Sequence, residues 1–187
     1  MTGVVEILTT LVSAAKLADK VHKTLREVVP KPPTEIERRH RTFYCTVVNL
    51  TQFDILVEDS HLVSGRFFTP PQGVDKWGNM TFTGCNGDHN PAGVTMGVSF
   101  KVSLDSTHHF DFAVGLTAPL VGHYKAGVVE SLDPNAGYMA AEKGGVAINS
   151  ENGYSATDED GEQQEIKFHV SAFPGNKMII EIRQVIV

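Results

Sequence analysis

Hydrophobic and polar positions follow two different periods along this chain. From Val4 to Val28 apolar side chains recur at Val4, Ile7, Leu8, Leu11, Ala14, Ala15, Ala18, Val21, Leu25 and Val28. That i, i+3, i+4, i+7 spacing predicts an amphipathic helix over residues 3–29. Its opposite face carries Glu6, Thr9, Thr10, Ser13, Lys16, Asp19, Lys20, Lys23 and Glu27. Pro30-Lys31-Pro32-Pro33 ends it, because proline lacks the amide donor and crowds the preceding turn. A basic stretch, Arg38-Arg39-His40-Arg41, follows.

From Thr42 the period falls to two. Strands are expected over 42–51, 53–58, 62–68, 80–83, 93–104, 108–116, 121–131, 145–148, 165–172 and 177–187. About ten short strands separated by Gly, Asn, Asp and Pro turns predict a mainly β chain folded as a β-sandwich. One short helix interrupts them: Asp133 suits its N-cap, Pro134 its first position and Gly144 its end. The organisation expected is a helix over 1–29, a Pro-rich and basic linker over 30–41, and a sandwich over 42–187.

Charge sharpens this division. Of 16 Lys/Arg and 22 Asp/Glu, residues 1–41 hold eight and five, and the remainder eight and seventeen. A basic arm on an acidic body argues against nucleic acid as a partner and permits contact with anionic lipid. The start MTGVVEILTT does not read as a signal peptide, so a soluble form is expected, cytoplasmic or secreted. No window of about 18 apolar residues makes a permanent membrane span. Cys45 and Cys85 are too few for a disulfide framework; two buried thiols are expected over one bridge. The sequons at Asn49 and Asn79 are read as chance matches.

Chemistry is sparse. The chain lacks HExxH, GxSxG and a Gly-rich phosphate loop followed by Lys-Ser/Thr. Gly84-Cys85-Asn86-Gly87-Asp88-His89 is read as a polar turn, His108-His109 as strand neighbours on opposite faces, and Asp158 and Asp160 as solvated charge. No enzyme, metal site or cofactor is expected. The N-terminal stripe has a plain use, docking on the sandwich. It also suits a helix that leaves the body behind its proline linker. At about 1.5 Å per residue, some 27 residues reach about 40 Å, enough to cross a bilayer's hydrocarbon. Several copies could ring a water-filled pore, or one helix could lie flat in the interface.

These features resemble the actinoporin-like family of sea-anemone cytolysins. The likeness runs from the amphipathic helix and basic segment through VVNLT (47–51), Ser64-Gly65 in HLVSGRFFTPP, PAGVTMGV (91–98), Phe112-Ala113-Val114 to Thr117-Ala118-Pro119, His123-Tyr124, the short helix holding Tyr138, and the closing MIIEIRQVIV. It implies a membrane-binding, ion-conducting, haemolytic pore former that assembles as a homo-oligomer. By that resemblance a phosphocholine headgroup would be held by Ser64, Met96, Thr117, Pro119, Tyr124 and Tyr138. The helix would insert through Val4, Ile7, Leu8, Leu11, Ala15, Ala18, Val21 and Leu25, turning Glu6, Ser13, Lys16, Asp19, Lys20 and Lys23 to the pore or interface. The stretches crowded with Trp and Tyr in that family read LVGHYKAGV and AGYMAAEKGG here, and Trp77 is the lone tryptophan. The alternative is a non-lytic, lectin-like or lipid-binding module on the same scaffold.

Overall fold

A computed structural model describes residues 3–27, 34–36, 41–87 and 92–187. The prolines of the linker, Arg38–His40 and residues 88–91 lie outside the described residues, as does Val28. The elements run β1 (Val4–Glu6), α1 (Ala14–Glu27), β2 (Thr42–Leu50), β3 (Ile55–Ser64), β4 (Arg66–Thr69), β5 (Asn79–Cys85), β6 (Val94–Ser103), β7 (His109–Ala118), β8 (Lys125–Val129), α2 (Pro134–Lys143), β9 (Ala147–Asn149), β10 (Gly153–Thr157), β11 (Gln163–Phe173) and β12 (Lys177–Ile186).

Eight strands form one sheet in the order β1-β10-β11-β12-β2-β5-β4, with β9 also on β11. The other sheet runs β3-β6-β7-β8. The two inner faces make the core. Met96, Val98, Phe100 and Val102 alternate inward along β6, and Phe110, Phe112 and Val114 along β7. Phe110 stacks on Phe168 of the opposite sheet with ring centroids 5.1 Å apart. Period-two alternation on both sheets leaves little choice but a sandwich.

The chain changes sheets at Gly65, whose φ of +80° suits a residue without Cβ. So the expected strand 62–68 is two pieces: its first half extends β3, and its second half is β4 in the other sheet. The expected strand 121–131 shortens to β8, leaving 119–124 as a loop with Val121 85% exposed.

The short helix forms as expected. Asp133 accepts from the Asn135 amide at 2.9 Å, and Gly144 closes the end with φ +78°. It lies on the outer face of the four-stranded sheet, over a row of glycines in register: Gly97 beside Gly115 beside Gly127. A Cβ on Gly97 would sit 1.8 Å from the Pro134 carbonyl oxygen, and one on Gly127 2.3 Å from the Ala141 nitrogen. Only hydrogen at these three sites lets the helix backbone rest directly on the strands.

The N-terminal expectation is corrected in extent. The helix begins at Ala14, not residue 3. Val4–Glu6 instead pairs in parallel with Gly153–Ser155 as the edge strand. Pairing with β10 offers residues 4–6 a ladder, and residues 7 and 11 a place in the core. Ile7 (3% exposed) and Leu11 (0%) take it.

Other details differ as well. Asp158 is buried rather than solvated, accepting from the Asp160 and Glu162 amides and Gln164 Nε2. His108 does not turn into the core but sits in the β6–β7 turn against Asp105. Both cysteines are free and buried, and burial pushes the Cys45 thiol pKa up. Asn49 is fully buried: its Nδ2 donates to the Phe53 and Asp75 carbonyls, and its Oδ1 accepts from the Thr51 amide and hydroxyl.

Candidate functional site: the N-terminal arm and the outer face of the smaller sheet

Residues 3–27 form an arm laid along one edge of the sandwich. Its backbone is held at a few points. Ile7 and Leu11 amides donate to the Ser155 and Thr157 carbonyls at 2.9 and 3.0 Å. The Leu8 amide donates to Asp105 Oδ2 at 2.9 Å, and the Thr9 hydroxyl to the Leu104 carbonyl. Gln52 reads the arm on both sides of Leu11. Its Oε1 accepts from the Val12 amide at 2.8 Å, and its Nε2 donates to the Thr10 carbonyl at 2.8 Å. Gln184, buried beneath, fixes Gln52 in return.

The arm's apolar side chains divide between core and water. Ile7, Leu11 and Leu17 are buried, Val21 is half-buried, while Val4, Leu8, Ala15, Ala18 and Leu25 are exposed, Leu8 at 82%. In α1 the face on the body runs through Leu17, Val21 and Thr24, at i, i+4, i+7. Sequence periodicity favoured Ala15, Ala18 and Leu25, which face outward, so that part of the reading is corrected for the docked state. Of the polar set, Glu6, Lys16, Asp19, Lys20 and Lys23 are exposed, with Asp19 pairing Lys23 at 2.8 Å. Ser13 is not: it is 6% exposed, and its carbonyl accepts from the Leu17 amide. At 14 residues α1 is about 21 Å long. Among the described residues no helix is long and apolar enough to cross a membrane, so the expected 40 Å reach is absent from the docked arm.

The headgroup residues separate by strand parity. Ser64, Thr95, Thr117 and Lys125 are successive register partners across the smaller sheet, one step from the glycine row. Thr117 shares the outer face with Gly115, against whose Cβ position the Tyr138 Cα lies at 2.6 Å. Thr117 Oγ1 is buried without a hydrogen-bond partner; the Ser64 hydroxyl donates to the Gly93 carbonyl at 2.9 Å. Lys125 Nζ reaches Glu142 of α2 at 2.6 Å. Ser64, Thr117 and Tyr138 therefore belong to one face, with Pro119 half-buried just past the end of β7.

Met96 and Tyr124 do not join them. Met96 is wholly buried in the core and offers a ligand no surface. Tyr124 packs against the core, with its hydroxyl 3.3 Å from the Thr42 carbonyl and 3.5 Å from Asn176 Oδ1. A cage built from Tyr124 and Tyr138 is not what the fold assembles. Sequence reasoning missed Thr95, which the parity of β6 could have revealed. Leu120 and Val121 are exposed at the tip of the β7–β8 loop, where the expected strand 121–131 begins only at Lys125.

A separate groove of about 480 Å³ lies where β9, β11 and β12 meet. His169, Ser171, Glu181 and Arg183 line it beside Phe173, which is 52% exposed. His169 Nδ1 is 2.8 Å from Asn149 Oδ1, and Arg183 pairs with Glu181. Among the described residues no three His, Cys, Asp or Glu side chains cluster as metal ligands.

No family model matches this chain, and no curated protein matches it. Among solved structures, the lipid binding protein Nakanori aligns over 91% of this chain and 79% of its own, with 14% identity and a TM-score of 0.49. The Xerocomus chrysenteron lectin XCL aligns over 77% and 99%, with 14% identity and a TM-score of 0.38. IP-1A from Alcaligenes faecalis aligns over 78% and 91%, with 12% identity and a TM-score of 0.43. These are distant likenesses, and what those proteins bind does not transfer to this chain.

Proposed function

We propose that this protein is a membrane-binding module of the actinoporin-like type, non-enzymatic, whose N-terminal arm leaves the sandwich and enters the bilayer once the body has docked on lipid. The observation that carries this reading is the divided arm. Val4, Leu8 and Leu25 stand in water while the same segment occupies the outermost strand position. Leaving that edge breaks a short ladder and uncovers Ile7 and Leu11. Entering lipid buries the whole apolar set, at roughly 25 cal/mol per Å². In the membrane, residues 3–13 would extend α1 toward the length a bilayer requires, and several copies would pool their polar faces around a pore.

The body's contact with lipid is proposed for the end of the smaller sheet. The exposed Leu120–Val121 tip can enter the interface, and the hydroxyls of the half-buried Ser64 and Thr95, beside Tyr138, can meet a headgroup phosphate and its ammonium. Tyr138 alone makes a weaker choline site than a multi-tyrosine cage would.

The decisive experiment ties the arm down. Glu6 and Ser155 are register partners on β1 and β10, so cysteines at both positions can be bridged. The oxidised Glu6→Cys, Ser155→Cys protein should bind vesicles but release no trapped dye, and reduction should restore release. Equal release in both redox states would end the proposal.

A second reading rests on the groove at Phe173. An exposed aromatic ring beside Arg, Glu, His and Ser suits a sugar, so a non-lytic, lectin-like module is the alternative. Glycan binding lost in Phe173→Ala, with no dye release from any vesicle, would favour it.

A further inference from the structure

A cavity of about 380 Å³ lies between the arm and the body, and it is basic. Lys16 and Lys20 enter it from α1, Lys76 and Trp77 from the turn before β5, Gln52 from the loop after β2, and Glu159 from the turn after β10. This is a local reversal of charge, since residues 42–187 carry eight Lys/Arg against seventeen Asp/Glu. Glu159 is committed: its carboxylate is 2.7 Å from the Lys16 ammonium. Among the described residues the ammonium groups of Lys20 and Lys76 have no acidic partner. Two exposed lysines without an ion-pair partner therefore border one cavity, one from each side of the arm–body seam.

The wall between them is unusual. Trp77 has φ +57°, where a residue with a Cβ is rarely found, in a turn closed by the Gly78 amide on the Asp75 carbonyl at 3.0 Å. Residues held in sparsely populated backbone regions cluster at ligand clamps and switch regions. Thr24 of α1 reaches back to the Trp77 carbonyl at 3.5 Å, so the helix and this turn meet at the cavity.

We infer that this cavity binds a phosphate monoester, and that its occupant clamps the arm to the body. The monoester is close to a dianion at neutral pH, matching the two ammonium groups that lack an ion-pair partner. A ligand held by Lys20 on the arm and Lys76 on the body binds only the docked state, and so stabilises it. A free phosphate and the headgroup of a phosphomonoester lipid share this chemistry. The site itself is independent of pore formation; only its effect on arm release rests on the function proposed above.

The lone tryptophan makes the test direct, because all indole fluorescence comes from Trp77. Titration with inorganic phosphate and with glycerol 3-phosphate at constant ionic strength should give a saturable change. Lys20→Gln with Lys76→Gln should weaken binding roughly tenfold or more, while Lys143→Gln on α2 should not; melting curves check that each variant is folded. Flotation with phosphatidylcholine vesicles carrying phosphatidate or, at matched charge, phosphatidylglycerol identifies the source. A preference for phosphatidate that is lost in the double variant supports a lipid headgroup. Binding of soluble phosphate without that preference supports a free ligand. The oxidised Glu6→Cys, Ser155→Cys protein should still bind phosphate, which separates failure of this site from failure of the pore reading. No saturable Trp77 response, or equal affinity in the double variant, overturns the inference.

Discussion

The backbone amide of Leu8 donates to Asp105 Oδ2 at 2.9 Å, although the Leu8 side chain is 82% exposed. One residue thus anchors the arm through its peptide while holding its apolar group in water. The Leu8 amide, the His108 ring and the Thr107 amide together hold the Asp105 carboxyl well below the usual carboxylate range. A lowered folded-state value stabilises the docked arm above the ordinary carboxylate pKa, and that contribution fades as pH falls below about 4. Asp105→Asn should therefore reduce hydrogen-exchange protection at Leu8 near neutral pH. The gap between wild type and variant should narrow as pH is lowered below about 4. A gap that widens there would refute this role.

Leu11 and Leu8 share one apolar stripe in sequence but not one environment. Leu11→Ala should cost about 2–4 kcal/mol, measured by urea unfolding, because it empties part of the core beside Ile7. Leu8→Ala should leave stability within about 0.5 kcal/mol, yet it should lower vesicle binding. The same contrast means that removing residues 1–27 will not be silent for the body.

The seat of α2 depends on missing side chains. Gly115→Ala would set a methyl 2.2 Å from the Gly137 carbonyl oxygen, so the helix must rise from the sheet. A loss of about 2–3 kcal/mol is expected, together with weaker vesicle binding if the face of Ser64, Thr95 and Tyr138 takes the headgroup. Gly144→Ala meets open space and faces only its left-handed backbone, a loss of about 1 kcal/mol. Thermal melts of the two variants side by side check the order.

Asn49 organises the loop between β2 and β3. Asn49→Asp keeps its shape but replaces the donor to Phe53 and Asp75 with a charge under full burial. A loss of about 3 kcal/mol is expected. The folded wild-type protein should also resist glycosylation at this sequon, because the amide nitrogen is already in use. Denaturant unfolding and mass spectrometry test the two statements separately.

What this chain settles by local chemistry is its layer architecture. Alternation along 94–103 and 109–118, with the Asp105-Ser106-Thr107 turn between, leaves two packed sheets as the way to bury those faces. Asp133, Pro134 and Gly144 likewise mark α2, since capping acts within a few residues. The tertiary structure alone decided the start of the arm. Residues 4–11 fit a helical spacing in sequence, and only the open edge of β10, which pairs residues 4–6, and the core that takes Ile7 and Leu11 select the extended arm. It also decided which members of the headgroup set share a face. Met96 and Thr117 look alike as candidates along the chain, but the pleat sends one into the core and the other toward α2. The cavity at Trp77 is the extreme case, because Lys20 and Lys76 meet only when an arm and a body distant in sequence are folded against each other.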